Sequence, residues 1–171
     1  KVNLETRLQG PGAQAEMLGL YFGDADQHFD YHTLQDHLAP YTTSQLLYKG
    51  ALRDQARSVY YGLVRVHKGA IQTAAYQENR NLLLSDKAKA DSIPVLEIEA
   101  SDLRRCGHGV AVGPVDEEQL FYLMSRGIDQ GDATKAIVEG FFQPVMERIP
   151  LSGVRNRLQR SIQAKWASKV R

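Results

Sequence analysis

The chain of 171 residues is 43% apolar and 24% charged, the ordinary composition of a globular domain with a core of its own. No apolar run reaches the roughly 20 residues of a membrane-spanning helix. The net charge of +1 hides an asymmetry, because Arg155, Arg157, Arg160, Lys165, Lys169 and Arg171 give residues 151–171 a charge of +6 with no acid, leaving −5 for residues 1–150.

The opening KVNLETRLQG has neither the basic nor the apolar region of a secretory signal, and without an initiator Met it reads as a piece of something longer. From there to about Gly113 the apolar signal has period 2. Ala13, Ala15, Met17, Gly19, Tyr21 and Gly23 alternate with Gln14, Glu16, Leu18, Leu20 and Phe22, which predicts a strand covered on both faces. His28, Asp30, His32 and Leu34 share one face of a second extended segment, because side chains two apart point the same way. Ser58, Tyr60, Gly62, Val64 and Val66 repeat the pattern, with Val59, Tyr61 and Leu63 opposite; Pro94, Leu96 and Ile98 follow, then Cys106, His108, Val110 and Val112. Heptads and strand–helix crossovers are both missing before residue 113, so a sandwich, a barrel or a parallel β-helix is expected. No Asn-Gly hairpin separates Leu82-Leu83-Leu84 from Val95-Leu96-Glu97-Ile98, which favours the solenoid. Similar units recur at about 20–25 residues, with single Gly or Asn residues expected at tight corners.

Beyond Gly113 the signal is helical. Asp116 is placed as an N-cap, followed by Glu117 and Glu118 where negative charge suits the helix dipole. Leu120, Phe121, Leu123 and Met124 form its apolar stripe, and Arg126-Gly127 a basic last turn with a C′ glycine. A second helix is expected from about Asp132, burying Ala133, Ala136, Ile137, Phe141 and Val145, with a kink or break at Pro144 and an end at Ile149-Pro150. A third spaces Val154, Leu158, Ile162 and Trp166 four apart inside a basic shell. The basic tail suits the solvated face of that helix better than a nucleic-acid surface.

Cys106 is the only cysteine, which excludes an internal disulfide and a cysteine-only metal site. His28, His32 and His37 lie among Asp30 and Asp36, but in a strand His28 and His32 stand about 13 Å apart at ~3.3 Å per residue, too far to share one zinc. Cys106 and His108 project to one side of a strand and are suitable soft and borderline ligands for iron or zinc, yet two ligands need completion from elsewhere. Walker, G-x-G-x-x-G, G-x-S-x-G and H-E-x-x-H motifs are all missing. Glu97 and Glu99 read as a solvated strand face, and Arg53, Arg57 and Arg65 lack the stacking aromatics of a nucleic-acid groove.

Longer motifs go further. QENRNLLLSDKAKADSIP (Gln77–Pro94), continuing as VLEIEA, then Gly107-His108-Gly109 and DEEQLFYLMSRGI (Asp116–Ile128), resemble in order the SufB/SufD family of iron–sulfur cluster assembly proteins. SQLLYKGALRDQARSVYYGLVRVHKGAIQTAAYQ, DYHTLQDHLAPYTTS and IVEGFFQPVMERIP extend the resemblance to about residues 15–165. It implies a mainly β fold, a right-handed parallel β-helix (residues 1–113) followed by a C-terminal α-helical subdomain (114–171), in the C-terminal half of a longer chain. It also implies a non-enzymatic scaffold of the SUF system in the bacterial cytoplasm. Such a scaffold pairs with SufB through the β-helix and binds the SufC ATPase through the helices, with Leu120, Phe121, Arg126, Phe141 and Phe142 as docking candidates. No cofactor is expected to stay bound; a transient iron–sulfur cluster is expected at the SufB–SufD interface, with His108 as its candidate metal contact and Cys106 as a second candidate. Neither nucleic acid nor membrane is an expected partner, and a homodimer of the isolated chain stays open. Ala88 stands where SufB-like chains carry a functional cysteine after LLL-x-D-K, and Gly107-His108-Gly109 replaces their Glu-His-Glu, which makes the resemblance SufD-like. DLRRCGH is one residue longer than the corresponding SufD stretch, which leaves the equivalence of Cys106 less secure. The alternatives are a SufB-like or homodimeric paralogue, and a polysaccharide-active β-solenoid enzyme, against which the scattered acids speak.

Overall fold

The computed structural model describes residues 1–167, so Lys169 and Arg171 of the basic tail lie outside the described residues. Eight strands come first: β1 (Val2–Leu8), β2 (Gln14–Gly23), β3 (His28–His37), β4 (Thr43–Leu52), β5 (Arg57–Val66), β6 (Thr73–Leu83), β7 (Lys89–Ile98) and β8 (Leu103–Pro114). Odd strands form one four-stranded sheet in the order β1-β3-β5-β7, and even strands a second, β2-β4-β6-β8. Every pairing is parallel. The chain therefore winds through four rungs of two strands each, a parallel β-helix.

One turn of this winding is longer than the sequence repeat suggested. Val2 pairs with Tyr31, 29 residues on, and Arg57 with Lys89, 32 residues on. Strands near ten residues, twice per rung, plus two corners account for the difference; the shorter period reflects similarity between strands that lie on different sheets. The corners also differ from expectation. Ala25, Tyr41, Asp54 and Gln72 adopt positive φ, and only Gly12 among these corner residues is a glycine. Each left-handed non-glycine residue costs about 1–2 kcal/mol, and bonds between stacked corners offset this. Tyr41 N–H donates to the Ile71 carbonyl and Gln72 N–H to the Asp102 carbonyl, while the Asp54 carboxylate accepts from Ala25 N–H at 2.9 Å.

Inward-facing side chains include both apolar and polar groups. Met17, Tyr21, Leu46, Tyr48, Leu52 and Tyr60 make one apolar cluster, and Val64, Val66, Ala70, Ala75 and Ala100 another. Between them runs a buried polar ladder. His37 is fully buried, its Nδ1 2.7 Å from Thr42 Oγ1 and its Nε2 2.7 Å from Ser44 Oγ. Gln35 donates to Ser44 at 2.6 Å; Tyr60 donates to Gln77 at 3.1 Å and lies 3.0 Å from Thr33; Asn79, Asn81 and Ser92 bond to one another. These buried polar groups are compensated by partners in their own rung, as His37 with Ser44, or in the next, as Thr33 with Tyr60.

Three helices follow: α1 (Glu117–Ser125), α2 (Gln130–Arg148) and α3 (Ser152–Ala167). Asp116 caps α1 through Glu118 and Gln119 N–H, and Gly127 at φ +86° supplies the left-handed exit. Asp129 caps α2, which starts two residues before the expected position. Val138 and Phe142 of α2, with Ile162 of α3, pack on Phe22 and Ala51, the outer face of β2 and β4. Burying one such aromatic contributes about 2–3 kcal/mol. The buried face of α2 is thus Ala133, Val138, Phe142 and Val145, while Ala136 is exposed and Ile137 and Phe141 are half-buried. Two apolar stripes run side by side along α2, and the sheet takes the second.

Pro144 does not break α2. A helical proline removes the bond to the carbonyl four residues earlier, here that of Gly140. One residue further on, Lys49 on β4 donates to the Phe141 carbonyl at 2.8 Å, with its ammonium 4.6 Å from the Phe141 ring centre, and ties this turn to the sheet. Burial pushes the Lys49 pKa down. On α3 only Ile162 is fully buried; Trp166 packs half-buried on Phe22 and Val154 is exposed. Lys165 is no solvated charge, for it bonds Asp24 and Gln27 at a β-helix corner while Arg53 donates to its carbonyl. No described helix is long and apolar enough to cross a membrane.

Candidate functional site

Strand β8 ends the even sheet, and β7 ends the odd one. No further strand pairs with either among the described residues, so this rung lacks the following rung that each of the three before it has. Its inward positions show the consequence: His108, Val110 and Val112 are exposed, the two valines at 41% and 42%. Exposed β-branched residues on an unpaired strand edge are the features of a strand that awaits a neighbour.

The extra residue in DLRRCGH becomes a bulge. Thr73 pairs with Leu103 but Ala74 with Arg105, so Arg104 is the unpaired residue. Arg104 turns outward and donates to the Gln72 carbonyl at 2.9 Å and to Thr43 Oγ1 at 3.0 Å. A one-residue slip would send every later side chain to the other face; the bulge absorbs it, so Cys106 stands opposite Ala75 and His108 opposite Gln77, both inward.

The two candidates differ in their surroundings. Cys106 packs against the cluster of Val64, Val66 and Ala75, and burial pushes its pKa up, which favours the protonated thiol over the ligating thiolate. His108 has Gln77 behind it, and Gln77 is already engaged, donating to the Gly62 carbonyl at 3.0 Å and accepting from Tyr60. On the outer face, Gly107 and Gly109 flank the histidine and Tyr76 lies across them. No group of three His, Cys, Asp or Glu residues converges among the described residues. A metal held at His108 would therefore draw its further ligands from outside the described residues.

The remaining candidates are distributed. Phe142 is 1% exposed and Phe141 half-buried, so they hold the helices to the sheet and Phe142 is not available for docking. On α1 no residue is buried: Phe121 is 73% and Tyr122 58% exposed, Leu120 is half-buried, and Arg126 lays its guanidinium over Tyr122 at 5.2 Å. The expected apolar stripe of α1 is split: Leu120 and Leu123 are half-buried, while Phe121 and Met124 face outward. His32 pairs with Asp30 at 3.1 Å and stacks near Tyr61, while His37 turns inward, so the histidines of β3 do not converge. Sequence reasoning missed His67, whose Nε2 lies 2.9 Å from Asp36, 31 residues away; no local pattern marks a pair made across a rung. Glu97 pairs with Arg65 at 3.0 Å. Ala88 is 4% exposed inside the β-helix core.

Fold and open rung together define a parallel β-helix protein whose last turn presents a histidine and whose C-terminal helices pack on one sheet. The family model described as "SUF system FeS cluster assembly, SufBD core domain" matches residues 1–141. This chain belongs to the SufB/SufD family. It is 43% identical over 170 residues to an iron–sulfur cluster assembly SufBD family protein of Mycobacterium leprae, covering 95% of this chain and 43% of that protein. It is 35% identical over 160 residues to the SufD of Bacillus subtilis, covering 94% and 36% respectively. With the SufD of Escherichia coli the identity is 35% over 156 residues, covering 91% and 37%. The chain thus spans less than half the length of these relatives, and the SufD-like character read from Ala88 and Gly107-His108-Gly109 agrees with the name that the Bacillus subtilis and Escherichia coli proteins bear.

Proposed function

We propose that this chain is the C-terminal part of a SufD-type subunit of a bacterial, cytoplasmic iron–sulfur cluster assembly complex, acting as a scaffold without enzymatic activity of its own. The observation that carries this reading is the open last rung, where β7 and β8 offer unpaired edges and His108 stands exposed beside Val110 and Val112. A SufB subunit would pair along this edge and bring its own cysteine and carboxylate beside His108. The nascent cluster is then a passing substrate at the seam, touched on this side by His108, whose neutral imidazole ligates iron or orients a ligand. The SufC ATPase would dock on the helical layer, where Phe121, Leu120 and Arg126 of α1 remain accessible.

The test is His108→Ala in the full-length subunit, reconstituted with SufB and SufC. Cluster yield is expected to fall while complex mass and ATPase binding stay unchanged; wild-type yield would remove His108 from the site. Native mass measurement of the same mixture also decides the partner, because a homodimer persisting in the presence of SufB would overturn the heterodimer. Cys106→Ser is expected to change yield less than His108→Ala.

A further inference from the structure

Strand β8 carries the candidate histidine under adverse local conditions. It is an edge strand, and both neighbours of His108 are glycines, each losing roughly 0.5–1 kcal/mol more on ordering than alanine would. Left alone, such a stretch would hold an imidazole in no fixed direction. The outer face of β8 supplies what the glycines lack. Tyr76 pairs with Gly107 across β6 and β8, and its ring leans along the strand over both glycines. A Cβ built on Gly107 would meet the ring at 3.6 Å, and one built on Gly109 would lie 2.7 Å from the Tyr76 hydroxyl. The Arg105 guanidinium sits 4.7 Å from the ring centre and holds it from the N-terminal side. Tyr76 itself is well anchored, since β6 is paired on both sides and Gln35 donates to the Tyr76 carbonyl at 3.4 Å.

We propose that Tyr76, clamped by Arg105, is a positioning residue for His108: it fixes the backbone at Gly107 and Gly109 from outside the β-helix and thereby aims the imidazole on the inside. The mechanism follows from alternation, for the dihedral angles on either side of His108 set its direction. The inference deepens the proposed role of His108 and rests on it, so its test separates the two.

Selectively ¹⁵N-labelled histidine in the full-length subunit gives the direct readout, with the His108 imidazole signals assigned by their loss in His108→Ala. Tyr76→Ala is expected to shift or broaden those signals, leave His32 and His67 in place, and lower cluster yield in the reconstituted complex by roughly ten-fold, as loss of an orienting partner does. Tyr76→Phe keeps the ring and is expected to restore both signal and yield. Gly109→Val, which displaces the phenol from the other side, is expected to reproduce the Tyr76→Ala spectrum; it decides the matter if Tyr76→Ala disturbs His32 and His67 as well. Unchanged His108 signals in either variant, with the fold intact, overturn the inference. A defect in Tyr76→Ala that Tyr76→Phe does not rescue overturns it too. Normal yield in His108→Ala overturns the functional reading instead, while the imidazole signals still decide whether Tyr76 positions His108.

Discussion

His37 and His108 both point toward the inside of the β-helix, and they could hardly differ more. His37 sits in a covered rung with both ring nitrogens bonded, and burial drives its pKa from the usual 6.5 down to about 4. His108 sits in the open last rung and is exposed. The same residue type at the same kind of position is a structural joint in one place and an available contact in the other. What separates them is whether another rung follows.

Three perturbations probe that contrast, in descending order of effect on stability. His37→Ala removes a buried ring and two hydrogen bonds, and an unfolding free energy lower by about 3–5 kcal/mol is expected in urea titration. Acid acts on the same residue. Because its folded pKa lies below the unfolded one, the unfolded chain takes up the proton first as pH falls below 6.5, and stability declines until about pH 4. That decline amounts to roughly 3 kcal/mol at 1.36 kcal/mol per unit, and it is expected to flatten over this window in His37→Gln. Such flattening measured instead in His108→Ala would reverse the assignment of the two histidines. His108→Ala itself is expected to move stability by no more than about 0.5 kcal/mol, as surface substitutions do. A larger loss would show that the open rung is more tightly structured than its exposure implies.

Much of this was legible in the chain, and the failures have definite causes. The alternation at 58–66 and 106–112 gave strands and faces correctly because a period of two survives any arrangement of strands. Asp116 and Gly127 marked the ends of α1 through chemistry local to the turn. The interior ladder escaped notice, since nothing local marks Thr33, Gln35, Ser44, Gln77 and Asn79 as buried until the winding brings their partners together. Tyr41 and Gln72 at left-handed corners were unreadable for the same reason. On α2 two adjacent stripes were equally apolar, and only the sheet beneath chose Phe142 over Ile137. For the site, His108 came from resemblance to a family; its exposure and the role of Tyr76 required the three-dimensional arrangement.

The bulge at Arg104 bears on how such chains tolerate change over evolutionary time. Strand pairing here demands strict register, yet successive turns of the winding take 29, 31 and 32 residues. The surplus is confined to the corners and to that one unpaired arginine. Insertions and deletions should therefore accumulate there and be purged from the strands between. Removing Arg104 would leave a regular ladder with His108 still opposite Gln77, whereas removing Gly107, three positions later, would close the same bulge only by turning Arg105 inward opposite Ala75 and Cys106 outward. Two single-codon losses, nearly adjacent, would have opposite fates.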